Sequence, residues 1–131
     1  MKDSLPTKSF IFNQQIDADS LYALYGEDYQ YIAEIFATVL LDYDSLCANI
    51  LASHAAGNLA ALKAAVHKIK PVFGFVGITT LQSRCQSFEN SCQDATSIAD
   101  VSAEFSSLIN NLTESKSLLE SEEQKLASFN N

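Results

Sequence analysis

The sequence predicts an all-α protein, an antiparallel four-helix bundle with a short extra N-terminal helix. Three observations predict it. Apolar residues recur at alternating steps of three and four through four long segments, which is the period of a single buried helix stripe. Short polar or Gly-containing turns join these segments, and connections that short make neighbouring helices antiparallel. Only four Gly and two Pro occur in 131 residues, and no stretch alternates with the period of two that a half-buried strand needs.

Residues 1–16 read as an N-terminal extension, with Phe10, Ile11, Phe12 and Ile16 available to cover one end of a bundle; residues 17–128 read as the bundle domain. Asp17 has a carboxylate suited to the free N–H groups of a first helical turn, so a short helix is expected from there to about Tyr25. Gly26 stops it, and Glu27 and Asp28 suit the positive end of the next helix. From Tyr29 the stripe runs Tyr29, Ile32, Phe36, Val39, Tyr43, Leu46, Ile50. Ile35, Leu40 and Cys47 widen it, as expected for a helix that touches two neighbours. This helix is expected to end near Ala56, with Gly57 as its C′ residue and Asn58 as the N-cap of its successor.

In the next segment Leu59, Leu62, Val66, Ile69, Phe73 and Val76 fall within an arc of about 100°. Lys63, His67, Lys70 and Gly74 form a second set about 60° wide, centred about 100° from the first. His67 is therefore expected near water, with lysines one turn to either side. Pro71 cannot donate to the carbonyl of His67, so a local bend is expected, and Gly74 leaves a bare patch one turn further on. Gly77 closes the helix and Thr79 or Thr80 helps start another, with Leu81, Cys85, Phe88 and Cys92 buried and Gln82, Gln86 and Glu89 along one flank. After a polar turn at 94–97, the last helix carries Ile98, Val101, Phe105, Leu108 and Leu112, thins around Ser115 and resumes with Leu119 and Leu126. Its end is expected to fray or project, with the acidic run 114–123 as a solvated face.

The net charge of −8 argues against non-specific nucleic-acid binding, because phosphates need a basic surface. Three of the eight basic residues, Lys63, Lys68 and Lys70, nevertheless surround one histidine, and Arg84 follows soon after. The start MKDSLPTKSF has no cleavage pattern, and no window reaches the roughly 18 consecutive apolar residues of a span, so a cytoplasmic chain with no membrane partner is expected. Met1 and the loosening C-terminal end fit a free-standing protein. Cys85 and Cys92 lie two turns apart on one face, about 10.5 Å along the axis and too far for a disulfide. Reduced thiols at Cys47, Cys85 and Cys92 are expected. No metal site is expected, since the cysteines fit core positions and His54, near a helix end, suits a structural or dipole role. The five tyrosines are expected to pack on helix faces, Tyr31 meeting solvent.

The histidine stretch resembles the signature of histidine-containing phosphotransfer (HPt) domains, the intermediates of multistep phosphorelays. Those carry an exposed phospho-accepting His, a Lys three residues later, a small residue next, and a glycine ten after the His; here these fall on His67, Lys70, Pro71 and Gly77. The resemblance runs from about Gly26 to about Glu89 and takes in GED at 26–28, AAGN at 55–58, VHKIK at 66–70 and LQSRCQSFE at 81–89.

The resemblance implies that His67 accepts a phosphoryl group from a receiver-domain aspartyl phosphate and passes it to another receiver. Lys70, with Lys68 or Lys63, would offset charge on the phosphoryl oxygens, and Glu89 would reach the imidazole from the adjacent helix. The residues themselves lead the same way, because Glu89 lies at the edge of its stripe, and a carboxylate that accepts the Nδ1–H leaves Nε2 unprotonated and outward. Lys63, Lys68, Pro71, Gly74 and Phe75 form the expected receiver-docking surface. Partners implied are receiver domains of response regulators and of a hybrid histidine kinase, met by a monomer. No Gly-rich phosphate loop and no clustered acidic site for Mg²⁺ occur here, so no cofactor of its own and no kinase activity are expected; the Mg²⁺ would sit in the receiver. Pro71 departs from the glycine usual at its position, which bears on partner choice. Two other readings stand beside this one: a non-catalytic helical adaptor using the lysines and Phe75, and a helical enzyme with His67 as general base backed by Glu89.

Overall fold

A computed structural model describes residues 9–131, so residues 1–8 of the expected extension lie outside the described part. The order of elements is α1 (Ala18–Tyr25), α2 (Tyr29–Ala55), α3 (Leu59–Phe75), α4 (Thr79–Asp94), a 3₁₀ turn (Ile98–Val101) and α5 (Ser102–Asn130), with no strand among the described residues. Helix starts follow the capping chemistry of the sequence: the side chains of Asp17, Asp28 and Asn58 accept from the backbone N–H groups of Ser20, Tyr31 and Ala61 at 3.0–3.1 Å. Gly77, at φ 75°, has the turn that an L-residue resists, and a Cβ there would lie 3.1 Å from the Asp17 carbonyl oxygen. Its own carbonyl accepts from Asp17 N–H at 2.7 Å, which ties the start of α1 to the α3–α4 turn.

α3 packs on both α2 and α4, and α5 mainly on α2, while the α4–α5 seam is looser and opens as a cleft lined by Arg84, Phe88, Leu108 and Asn111. Ile32, Phe36, Ile50, Leu62, Val66, Ile69 and Phe73 are fully buried, and each contributes about 1.5–3 kcal/mol of burial free energy. By length and composition α2 is apolar enough to cross a membrane. Here Ile32, Phe36, Tyr43 and Ile50 on that helix face the bundle's core. The Tyr43 hydroxyl donates to the Leu112 carbonyl at 2.7 Å, so even the largest buried polar ring is satisfied. His54 stacks on Phe105 at 3.8 Å with rings 4° apart, a packing role at the end of α2.

Four details correct the sequence reading. The last helix does not fray: α5 runs to Asn130 with Leu119 and Leu126 completely buried. The acidic run is not a uniformly solvated face, because Glu122 is 1% exposed, accepts the Asn13 N–H at 2.7 Å and pairs with Lys125. Both departures have one cause, since the segment before α1 folds back over this end of the bundle. Phe10 and Phe12 meet edge-on at 4.8 Å, and Phe10 and Tyr29 each meet Phe129 at 5.5 and 5.1 Å. Ile98 and Val101 belong to a separate 3₁₀ turn rather than to the last helix, with Asp100 accepting from the N–H groups of Thr96 and Ser97. Finally, Gly74 is covered rather than bare, since the Gln82 side chain lies across it; α3 spans Leu59–Phe75 with Pro71 inside it.

Candidate functional site

The site lies on the outer seam of α3 and α4. Val66 and Ile69 anchor α3 in the core, and His67, about 100° round the helix from Val66 and about 160° from Ile69, is turned outward with its side chain 68% exposed. The tight turn at Gly77, with Ile78 N–H donating to the Phe73 carbonyl at 2.8 Å, sets the register of α4 against α3. That register brings Glu89, with a side chain only 6% exposed, to the His67 ring, where its Oε1 lies 2.8 Å from Nδ1.

The second oxygen of Glu89 faces Lys70, whose Nζ lies 2.8 Å away, and Lys70 also donates to Gln86 Oε1 at 2.7 Å. Burial pushes the Glu89 carboxyl up, but the bonds from Lys70 and then His67 outweigh it and hold the group below the usual carboxylate range. An ionised carboxylate is an acceptor only, so the proton of the His67–Glu89 bond belongs to Nδ1. In the neutral ring Nε2 is then the lone-pair nitrogen, on the far side of the ring from the Nδ1 that Glu89 holds. Lys70 Nζ is 3.5 Å from Nδ1, which places the ammonium along the inner edge of the ring.

The remaining candidate residues divide into two groups. Lys63 is drawn along α4, where it bonds to Gln93, and Lys68 is exposed. Pro71, Gly74 and Phe75 line a shallow groove with Ser20, Ala23, Leu24 and Gln82. Phe75 and Leu24 are 51% and 58% exposed, which makes this the apolar surface next to the histidine. Gly74 is not a bare patch: the Gln82 side chain lies across it, and a Cβ there would fall 2.8 Å from the Gln82 amide nitrogen.

The sequence from residue 30 to residue 124 matches the family model described as Hpt domain. The chain belongs to the Hpt domain family. Its fold is similar to the crystal structure of the HPT domain from an Hpt sensor hybrid histidine kinase of Shewanella, with a TM-score of 0.73 at 18% identity over 85% of this chain and 95% of that one. No curated protein matches the chain. As an Hpt domain it has the role of a phosphocarrier in phosphorelay signalling, and its partners are receiver domains.

Three contributions to this Hpt site go beyond the sequence reading, in which Gln86 stood on the flank of Glu89 with no partner assigned. Gln86 is the second partner of Lys70, Gln93 holds Lys63, and α1 supplies Ala23 and Leu24 to the apolar groove. The first two carry a sequence signal, since residues three and four away from Glu89 on a helix share its face. The third does not, because the docking of α1 on α3 is set by tertiary contacts, including the bond from the Tyr25 hydroxyl to the Phe75 carbonyl at 2.8 Å. Among the described residues no three His, Cys, Asp or Glu side chains converge as a metal site.

Proposed function

We propose that His67 is the phospho-accepting residue of this carrier, and that its Nε2 attacks the phosphorus of an aspartyl phosphate on a receiver domain. The observation that carries this reading is the bond from Nδ1 to Glu89 at 2.8 Å, on a ring that is otherwise open to solvent. The Nε2 lone pair forms the P–N bond while the P–O bond to the receiver's aspartate breaks, and the aspartate leaves as a carboxylate. Nδ1 keeps its proton, so no separate base is required. Phosphoryl transfer asks for a nucleophile, alignment and charge compensation, and little else of the protein.

In this reading Lys70 supplies positive charge at the inner edge of the ring, and Lys68 and Lys63 extend it along α3. The groove of Pro71, Gly74, Phe75 and Leu24 receives the partner's apolar surface. The receiver brings its own Mg²⁺ and the remaining catalytic groups, the carrier acts as a monomer in the cytoplasm, and it has no kinase activity of its own. A general-base enzyme is the weaker reading, because neither the α4–α5 cleft nor the groove beside α1 includes His67 in its lining. An enzyme of that kind needs a concave site at the base.

Incubation with a phosphorylated receiver domain tests the proposal. Acid-labile, base-stable phosphate is expected on the wild-type chain and none on His67→Gln. Label that persists in His67→Gln overturns the assignment, and a folded wild-type chain that takes no label from any receiver overturns the relay reading.

A further inference from the structure

We infer that the charge of Glu89, beyond its position, sets the pH range over which phosphorylated His67 can give its phosphoryl group away. The inference rests on the acceptor assignment above and concerns the onward step. Once Nε2 carries phosphorus and Nδ1 keeps its proton, the ring is a cation whose N–H is aimed at Oε1 of Glu89, 2.8 Å away in the unmodified protein. In onward transfer an oxygen of the next receiver's aspartate forms the new P–O bond, the P–N bond breaks, and its electron pair returns to Nε2. With the proton still on Nδ1, the departing group is a neutral imidazole. With that proton lost, it is an imidazolide anion, a far poorer leaving group. Whatever keeps the proton on Nδ1 therefore keeps the bond cleavable.

The charged groups about the ring can be named element by element. On α3, Lys70 lies 3.5 Å from Nδ1 and opposes a second positive charge, as do Lys68 and, one turn away, Lys63. On α4, Gln86 and Gln93 are neutral and Glu89 is the one anion bonded to the ring among the described residues. No hydrogen bond or ion pair joins the ring to α1, α2 or α5 among the described residues. Three cations would favour loss of the Nδ1 proton, and one buried carboxylate in direct contact opposes them. A glutamine at position 89 presents the same kind of oxygen to the N–H without the charge, so the geometry and the charge can be separated. Glu89 is thus a positioning residue with an electrostatic task.

The test loads the full chain with phosphoramidate, a small phosphoryl donor, and follows phospho-His67 by ³¹P NMR as the pH is raised. The deprotonation midpoint in the wild type is expected above that of free Nε2-phosphohistidine, and lower in Glu89→Gln than in the wild type by about one pH unit or more. The rate of transfer to a receiver, taken as the ratio of variant to wild type, is expected to fall roughly tenfold between neutral pH and pH about 9. A wild-type midpoint equal to that of the free compound overturns the inference, and this comparison stands even where the variant does not fold. So does a variant that is slower by the same factor at every pH, which is the behaviour of a residue that only orients the ring. Loading by phosphoramidate needs no receiver, so failure here and failure of the relay reading are separate results.

Discussion

Lys70 Nζ lies 2.8 Å from Glu89 Oε2, and the other oxygen of that carboxylate holds Nδ1 of His67. The lysine side chain is only 18% exposed, so α3 and α4 are joined at the site by an ion pair largely shielded from water. The lysine is committed before any phosphoryl group arrives, and its charge reaches the reaction partly through Glu89.

Replacing Lys70 tests that charge. Lys70→Met is expected to slow transfer from a phosphorylated receiver by about tenfold or more, while the helical circular dichroism of the bundle stays unchanged. Single-turnover labelling reads the rate. A folded Lys70→Met chain that matches the wild type removes the electrostatic role.

Acid should weaken the same seam. Glu89 has a folded-state value held below its ordinary 4.5, because the bonds from Lys70 and His67 outweigh the cost of burial. A group depressed in this way contributes stability that is fully present above its unfolded value and is lost as pH falls through the folded one. The stability gap between the wild type and Glu89→Gln is therefore expected to be constant at neutral pH and to shrink below about pH 4.5. Urea melts at a series of pH values measure it, and a gap unchanged down to pH 3 contradicts the ionised, paired carboxylate.

The core beneath the site should respond to truncation. Leu62 and Phe36 are completely buried on α3 and α2, so Leu62→Ala or Phe36→Ala is expected to destabilise by about 2–5 kcal/mol. Unchanged denaturation midpoints would mean that these side chains do not form the packed interior.

At the far end of the bundle, Glu122 links the segment before α1 to α5 through the Asn13 N–H. Glu122→Ala removes that acceptor from a nearly fully buried position, and a loss of about 1–3 kcal/mol is expected. Faster hydrogen exchange at the Asn13 amide should accompany it. Wild-type protection of that amide in the variant would show that the latch is made by other contacts.

Much of this protein could be read before folding it. The stripes of α2, α3 and α4 and the outward angle of His67 follow from periods of three and four, and the caps at Asp17 and Asn58 from side-chain chemistry, all local properties of the chain. Glu89 was legible for the same reason, as a flank position whose partner helix is fixed by a short turn. What lay beyond the sequence was contact between distant segments. Leu119 and Leu126 looked sparse on a charged helix, and although Phe10 and Phe12 could be assigned to one end of a bundle, nothing local showed that Phe10 would meet the end of α5 at Phe129. Glu122 looked solvated because its hydrogen-bond donor is more than a hundred residues away. Pro71 lies inside α3, between Ile69 and Phe73, both of which are held in the core.

The most direct measurement is the position of the phosphorus on the ring. Long-range ¹H–¹⁵N spectra of the chain, after labelling by a phosphorylated receiver, report which nitrogen of His67 is substituted. A phosphoryl group on Nε2 and a proton retained on Nδ1 are the expected result. A phosphoryl group on Nδ1, or on any residue other than His67, contradicts it.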